Sequence, residues 1–212
     1  MRGVHVLAGI ASTGLLGASL VLGAPASARD VVNGTGGDDH LRGTPFTDTI
    51  RGFGGNDVVQ ALPGGDLIGG GWGLDEVYAG PGDDTARGGP QGDYLNGGRG
   101  DDSLYGGAGF DGITGFVGSD VIFGGAMGDG FLFDGAGADT IHGGLGNDTV
   151  YLAVDGSLDI VICGPGHDAV WGATSENTVA ADCETVHVQQ PPCGRATPQR
   201  VPPPLREAAP CK

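Results

Sequence analysis

One nine-residue phrase is repeated through the middle of the chain, and its clearest copy is Gly97-Gly98-Arg99-Gly100-Asp101-Asp102-Ser103-Leu104-Tyr105. Thirteen copies run from Gly34 to Tyr151 with the pattern G-G-x-G-x-D-x-U-x, in which U is apolar. We place one inserted residue near Phe133, where the register of the copies breaks. A fixed short period of this kind predicts a repeat architecture in which each copy packs on its neighbours.

Two places of the phrase are kept in every copy, because the sixth is always aspartate and the eighth is never polar. The sixth-place residues are Asp39, Asp48, Asp57, Asp66, Asp75, Asp84, Asp93, Asp102, Asp111, Asp120, Asp129, Asp139 and Asp148. The eighth-place residues are Leu41, Ile50, Val59, Ile68, Val77, Ala86, Leu95, Leu104, Ile113, Ile122, Phe131, Ile141 and Val150. The pattern predicts one carboxylate for each turn and one core side chain for each strand.

The phrase resembles the RTX nonapeptide repeat of hemolysin-type calcium-binding proteins. The resemblance covers a little over half of the chain and implies an all-β fold, a right-handed parallel β-roll with two sheets of short strands. It also implies that several Ca²⁺ ions are held in the turns, with the thirteen sixth-place aspartates as the metal ligands. The ending of the chain, with a cysteine in its last degenerate coil, is similar to secreted repeat proteins of actinobacteria.

The residue types in the phrase suit this chemistry. Calcium prefers six to eight oxygen ligands from carboxylates and backbone carbonyls, and glycines allow a backbone with φ > 0. The last three places predict a short strand whose middle residue faces the core. Two phrases make one coil of 18 residues, so sixth-place aspartates of adjacent coils are expected roughly 4.8 Å apart, sharing an ion. The pairings expected to form best are Asp57 with Asp75, Asp66 with Asp84, Asp84 with Asp102, and Asp102 with Asp120.

Three copies lack the glycine of the fourth place, where we expect a left-handed backbone. Gln91 and Met127 are each followed by a glycine, Gly92 and Gly128, that is expected to rescue the turn. Phe46 has no such neighbour. The second copy, which contains Phe46, is therefore predicted to bind calcium less well than the middle copies.

The composition limits the partners of the protein. The chain has 212 residues, 46 of them glycine, and a net charge of −16. Such acidity excludes a nucleic-acid partner, which requires a basic surface. Glycine-rich acidic segments are typical of disorder, so we predict that the repeats fold only when calcium, which binds the folded state, supplies the free energy.

Four segments divide the chain. Residues 1–28 have the pattern of a secretory signal peptide, with an uncleaved membrane anchor as the alternative. Residues 30–151 are the predicted calcium-binding β-roll, and residues 152–188 are degenerate repeats that are expected to cap its core. Residues 189–212 are a Pro-rich basic tail, which is expected to remain solvated or to contact an anionic surface such as the cell wall.

All four cysteines follow the regular repeats, and an even number in an exported protein predicts disulfides. Three connectivities are possible. A separation near 18 residues favours Cys163 with Cys183, about one coil apart, and leaves Cys193 with Cys211. A zinc site is not supported, because the chain has no C-x-x-C motif and no paired histidines at ligand spacing.

The motifs of common enzyme classes are missing from the sequence, which has no H-E-x-x-H, G-x-S-x-G or G-x-x-x-x-G-K. We therefore predict a secreted calcium-binding repeat protein that is not an enzyme and has a structural, adhesive or matrix role. The predicted partners are calcium ions and a cell-wall or extracellular polymer surface, with no nucleic acid and no membrane span after signal cleavage. A carbohydrate-acting enzyme and a toxin or hemolysin accessory protein are the alternative functions.

Overall fold

The computed structural model describes residues 19–22 and 30–188, which form nineteen strands in two parallel sheets. Sheet A contains, in spatial order, β1 (Ser19–Leu22), β3 (Asp39–Arg42), β5 (Val58–Gln60), β7 (Glu76–Pro81), β9 (Tyr94–Arg99), β11 (Gly112–Val117), β13 (Phe131–Ala136), β15 (Thr149–Tyr151), β17 (Ala169–Ala173) and β19 (Thr185–Val188). Sheet B contains β2 (Val31–Asn33), β4 (Thr49–Gly54), β6 (Leu67–Trp72), β8 (Thr85–Pro90), β10 (Ser103–Ala108), β12 (Val121–Ala126), β14 (Thr140–Leu145), β16 (Ile160–Ile162) and β18 (Thr178–Val179). Successive strands alternate between the sheets, which confirms the parallel β-roll.

The strand register follows the predicted coil. In sheet B, Leu104 pairs with Ala86 on one side and with Ile122 on the other, each 18 residues away. The separation grows towards the C-terminus, where Val150 pairs with Val170. The middle strands are also longer than the three residues expected, because parallel pairing continues through the first three places of the next phrase.

The core is a double column of eighth-place side chains between the two sheets. Twelve of the thirteen predicted core residues are buried, but Phe131 is 45% exposed and Leu132 takes its place with 0% exposure. Leu132 pairs with Ile113, so the inserted residue is Gly130, three residues before Phe133, and the register breaks before Phe131 instead of after it. Because side chains alternate between the two faces of a strand, this shift of one residue turns Phe131 outward.

The turns that lack a fourth-place glycine behave differently from the prediction. Gln91 and Met127 adopt the left-handed backbone themselves, with φ of 83° and 80°. Gly92 and Gly128 do not have positive φ, so the expectation that they rescue the turn is wrong. Unlike Gln91 and Met127, Phe46 does not have positive φ. The second copy therefore follows a different backbone path at the fourth place from the copies that contain Gln91 and Met127.

The two ends of the roll have different structures. At the N-terminal end, β1 lies within the predicted signal peptide and pairs in parallel with β3. At the C-terminal end, Cys163 and Cys183 form a disulfide with Cα atoms 5.2 Å apart, which confirms the favoured pairing. The rest of the predicted signal peptide and the Pro-rich tail, with Cys193 and Cys211, lie outside the described residues. Within the described residues, no helix is long and apolar enough to cross a membrane.

Candidate metal sites in the turns

The thirteen predicted aspartates are all buried, with exposed fractions between 0% and 4%. They form two columns, one in the turns that lead into each sheet. The column of sheet A contains Asp39, Asp57, Asp75, Asp93, Asp111, Asp129 and Asp148. The column of sheet B contains Asp48, Asp66, Asp84, Asp102, Asp120 and Asp139. Carboxylates that are separated by 18 or 19 residues in the sequence therefore follow one another along the roll.

A hydrogen-bond ladder holds each column together. The backbone N–H of Asp84 donates to Oδ1 of Asp102 at 2.8 Å, and the N–H of Asp102 donates to Oδ1 of Asp120 at 2.8 Å. The same contact joins the other neighbours in both columns and continues to Asp159 and Asp168 beyond the regular repeats. The four pairings that the sequence favoured are thus adjacent in the fold.

The second carboxylate oxygen of most of these aspartates is buried and accepts no hydrogen bond from the described residues. These Oδ2 atoms belong to Asp57, Asp66, Asp75, Asp84, Asp93, Asp102, Asp111, Asp120, Asp129, Asp139, Asp148 and Asp168. A buried carboxylate that lacks a compensating partner is unfavourable in its charged form. The columns therefore need either protons or cations.

The pKa values of these aspartates also show that the charged form of the carboxylate is unfavourable in the turns. Burial, with a smaller contribution from the neighbouring carboxylates, raises the pKa of Asp84 and of Asp93 to about 7. The same causes raise the pKa of Asp102 to about 8 and that of Asp129 to about 7. A bound cation would reverse this shift, because an opposite charge favours the ionised carboxylate.

Carboxylate and carbonyl oxygens line a small space beside the first place of the phrase. A Cβ atom placed on Gly143 would lie 2.5 Å from Oδ2 of Asp148 and 2.6 Å from the carbonyl oxygen of Cys163 in the next coil. A Cβ atom on Gly52 would collide in the same way with Oδ2 of Asp57 and the carbonyl oxygen of Gly70. Glycine keeps this space free, and its oxygen lining suits a hard cation such as calcium.

In some copies the Oδ2 atom of the aspartate accepts hydrogen bonds from protein groups, which we did not predict from the sequence. In the second copy, the N–H and hydroxyl of Thr44 donate to Oδ2 of Asp48 at 2.6 and 3.0 Å. At the C-terminal end, the side-chain amide of Asn177 donates to Oδ2 of Asp159 at 2.6 Å. Thr174 in turn donates its N–H to Oδ1 of Asn177 at 2.6 Å. Protein groups thus donate to Oδ2 of Asp48 near the N-terminal end and of Asp159 near the C-terminal end, but not to Oδ2 of Asp168.

One further carboxylate was missed. Asp134 occupies a first place, where the regular phrase has glycine, and it is 1% exposed. It lies with Asp139 and Asp159 in a group whose potential ligand oxygens are all within 4.8 Å of one another. Burial and the charges of Asp159 and Asp139 raise the pKa of Asp134 to about 7. An acidic residue at a place that holds glycine or alanine in the other twelve copies was the signal that could have identified it.

The comparisons with known proteins agree with the geometry. The family model of the RTX calcium-binding nonapeptide repeat matches residues 33–68, 69–104, 78–113, 97–126 and 127–155. These matches span more than half of the 212 residues and confirm the resemblance seen in the phrase. No curated protein matches the chain. With its repeated phrase, parallel roll and buried aspartate columns, the chain belongs to the family of RTX calcium-binding nonapeptide repeat proteins.

Proposed function

We propose that the eleven sixth-place aspartates from Asp57 to Asp148 hold calcium ions between adjacent coils, and that the roll, folded by calcium, has a structural, adhesive or matrix role outside the cell. In the first two copies, Oδ2 of Asp39 and of Asp48 instead accepts hydrogen bonds from Thr35 and Thr44. The observation that carries this proposal is the row of buried Oδ2 atoms, repeated at each coil, that have no hydrogen-bond donor among the described residues. Each of these atoms is oriented by a ladder contact through Oδ1 of the same carboxylate. The aspartates are thereby preorganised as oxygen ligands.

The energetics of a coil support the coupling of calcium to folding. Each coil contributes only about two core side chains, such as Leu95 and Leu104, and each of these contributes roughly 1.5–3 kcal/mol. Each coil also orders 18 residues, at a backbone entropy cost on the order of 1 kcal/mol per residue. Cations that bind only the folded state supply free energy for folding.

The sequence and the disulfide support the proposed location. Residues 1–28 have the composition of a signal peptide, for which we propose cleavage after Ala28. The Cys163–Cys183 disulfide is typical of proteins that are exported from the reducing cytosol. For the basic tail at 189–212 we propose contact with an anionic wall or matrix polymer, because it carries the opposite charge to the acidic roll.

A carbohydrate-acting site along the roll is less well supported. Aromatic rings on the outer face of sheet B stack on one another, with ring centroids 5.0 Å apart for Tyr105 and Phe123 and 4.5 Å apart for Phe123 and His142. Arg87 covers the other face of Tyr105 at 4.8 Å. Neighbouring side chains thus occupy the ring faces of Tyr105 and Phe123, so this row offers neither ring to a sugar, and we propose a non-catalytic role. No observation favours the toxin accessory function.

The test is folding with and without calcium. Protein recovered from the culture medium is compared at pH 7.5 in excess calcium, in excess magnesium and in excess chelator, by far-ultraviolet circular dichroism and size-exclusion chromatography. We expect a β spectrum and a compact size in calcium, and an expanded chain in chelator. A full β signal and an unchanged melting temperature in chelator would contradict the proposal.

A matched pair of variants locates the effect. Asp102→Asn removes a sixth-place charge, whereas Asp101→Asn removes the charge of the adjacent exposed side chain, whose Oδ1 accepts the N–H of Ser119. We expect Asp102→Asn to raise the calcium concentration required for folding and Asp101→Asn to leave it nearly unchanged. Equal shifts in the two variants would point to general charge repulsion instead of ligation.

A further inference from the structure

Asp134 stands at a first place of the phrase, which holds glycine or alanine in the other twelve copies. It lies in β13, and the register sets it beside Gly115 of the preceding coil, because Thr114 pairs with Phe133 and Phe116 pairs with Gly135. A Cβ atom at Gly115 would collide with Oδ2 of Asp120, so the first place points into the turn and towards the sixth-place carboxylate. At Asp134 a carboxylate occupies that direction.

The contacts of Asp134 hold it in place inside the turn. Its Oδ1 accepts the N–H of Gly135 at 2.6 Å and the N–H of Ala153, from the following coil, at 2.8 Å. The pairing of β13 with β15 ends at Phe133 and Tyr151. The side chain of Asp134 therefore continues the link between the two coils where the backbone ladder stops.

The two neighbouring carboxylates come from the same turn and from the next coil. Asp139 has an Oδ2 atom that is buried and accepts no hydrogen bond from the described residues, and the residue is 1% exposed. Asp159 is oriented by the N–H of Asp139 at 3.2 Å and by the amide of Asn177 at 2.6 Å. Ligand oxygens of Asp134, Asp139 and Asp159 lie within 4.8 Å of one another.

Among the described residues, all hydrogen-bond donors to these three carboxylates are uncharged amide groups. Three buried carboxylates therefore share one small volume without a basic side chain as a hydrogen-bond partner. Such a group is stable only if its charge is neutralised, and oxygen ligands of this kind select a hard cation. The orphan Oδ2 atom of Asp139 shows which carboxylate still lacks a partner.

We propose that Asp134, Asp139 and Asp159 form a distinct three-carboxylate calcium site at the junction between the regular repeats and the degenerate C-terminal coils. This proposal rests on the proposed ability of the roll to bind calcium. It adds Asp134, a ligand that the nine-residue phrase does not contain. Calcium affinity increases with the number of charged ligands. This site therefore holds its ion more tightly than the regular turns and releases it last.

The test is calcium release from protein recovered from the culture medium, followed by native mass spectrometry at decreasing free calcium. In the wild type we expect one ion to remain where the others have dissociated. Asp134→Asn keeps the oxygen that accepts the N–H groups of Gly135 and Ala153 but removes the charge. We expect it to lose this tight ion, with an affinity for it that is lower by on the order of tenfold or more.

Two further variants make the result specific. Asp134→Gly restores the residue of a regular turn and should also lose the tight ion, which settles the question if Asp134→Asn does not fold. Asp155→Asn removes a charge from an exposed carboxylate one coil further on, which accepts the N–H of Gly137 at 2.7 Å, and should keep the tight ion.

The outcomes separate this site from the calcium sites of the regular repeats. A wild-type protein that binds no ion overturns both proposals. If the wild type binds several ions with no tight one among them, or if Asp134→Asn keeps the tight ion, the three-carboxylate site alone is overturned. It is also overturned if Asp155→Asn loses the tight ion to the same extent, because net charge then explains the effect.

Discussion

The middle of the roll and its N-terminal end use the same phrase but satisfy its carboxylate in different ways. Asp102 in the middle and Asp48 near the end are both buried, and the Oδ1 atom of each accepts a backbone N–H from one coil earlier. Oδ2 of Asp48 accepts two hydrogen bonds from Thr44. Oδ2 of Asp102 accepts none from the described residues. The difference comes from the second place of the phrase, which is Thr44 in one copy and Gly98 in the other.

This difference shows that protein donors can replace a cation in this fold. Thr35 makes the same two contacts to Asp39 in the first copy, and Asn177 donates to Asp159 at the C-terminal end. The terminal units of repeat proteins need their own caps because they have a neighbour on one side only. We infer that Thr35 and Thr44 take the place of a cation at the N-terminal end, and that calcium is needed by the turns that follow. At the C-terminal end Asn177 orients Asp159, whereas Oδ2 of Asp168 has no donor among the described residues.

The largest expected effect is a reversal of the pH dependence of stability when calcium is removed. Burial raises the pKa of Asp84, Asp93 and Asp129 to about 7 and that of Asp102 to about 8, from an ordinary value of 3.8. A carboxyl group whose pKa is higher in the folded than in the unfolded chain stabilises the fold below pH 4. This contribution to the free energy of unfolding is lost as the pH rises towards 8. In chelator, the free energy of unfolding should therefore fall from pH 5 to pH 8. In calcium it should rise, because protons compete with the ion for the carboxylates.

The measurement is the β signal in circular dichroism at several pH values in calcium and in chelator, with urea unfolding at each pH value at which the chain is folded. Repeating it in 0.5 M salt is the control, because salt at this concentration screens repulsion between exposed charges but has a smaller effect on buried groups. If the free energy of unfolding in chelator increases with pH, ionisation of the buried carboxylates does not destabilise the fold, and the prediction is wrong.

The second effect compares Asp102→Ala with Asp48→Ala. Asp102→Ala should remove about two ions, those shared with Asp84 and with Asp120, because an inner carboxylate serves two coils. Asp48→Ala should remove none, but it leaves the N–H of Thr44 without its acceptor. A buried donor without an acceptor costs about 1–3 kcal/mol, and this cost is independent of calcium.

Ion counting by native mass spectrometry and urea unfolding at two calcium concentrations distinguish the two variants. For Asp102→Ala, the loss of unfolding free energy should grow with calcium concentration. For Asp48→Ala, it should stay constant. The comparison between the middle and the N-terminal end fails if both variants lose the same number of ions.

The features of the fold that depend on the strict period were predicted correctly from the sequence. The parallel roll, the aspartate columns and the Cys163–Cys183 disulfide all follow from a coil of about 18 residues. The position of the insertion was not predictable in the same way, because Phe131 and Leu132 are both apolar. Only the pairing of Leu132 with Ile113 shows that Gly130 is the extra residue.

The missed parts of the candidate site lie outside the sixth place. Thr44 and Asn177 resemble losses of a consensus residue, yet each supplies a donor to a carboxylate. Asp134 resembles the loss of a consensus glycine. Its place in the candidate site is evident only from the fold, which brings it close to Asp139 and Asp159, five and 25 residues further along the chain. A pattern that counts matches to a phrase treats such residues as defects, although they make new contacts with the carboxylates or lie beside them.

A smaller effect tests the C-terminal end. The Cys163–Cys183 disulfide closes a loop with a sequence separation of 20, which in the chain-entropy model stabilises the fold by roughly 3 kcal/mol. Reduction should therefore loosen β16 to β19 first and leave the middle coils unchanged in calcium. Hydrogen exchange with and without reductant measures this, and Cys163→Ser with Cys183→Ser is the matched variant. Loss of protection that begins in β8 to β12 would contradict a local role for the disulfide.

The smallest effect concerns the backbone of single turns. Gln91 has a φ of 83°, and a residue with a Cβ atom in this region is strained by about 1–2 kcal/mol. Gln91→Gly should therefore stabilise the middle of the roll by up to about 1 kcal/mol, after the greater flexibility of glycine in the unfolded chain is subtracted. Phe46, at the same place in the N-terminal end, does not have positive φ and is 45% exposed. Phe46→Gly should thus destabilise by about 0.5–1 kcal/mol. Urea unfolding in saturating calcium compares the two, and effects of the same sign would show that both turns share one backbone path.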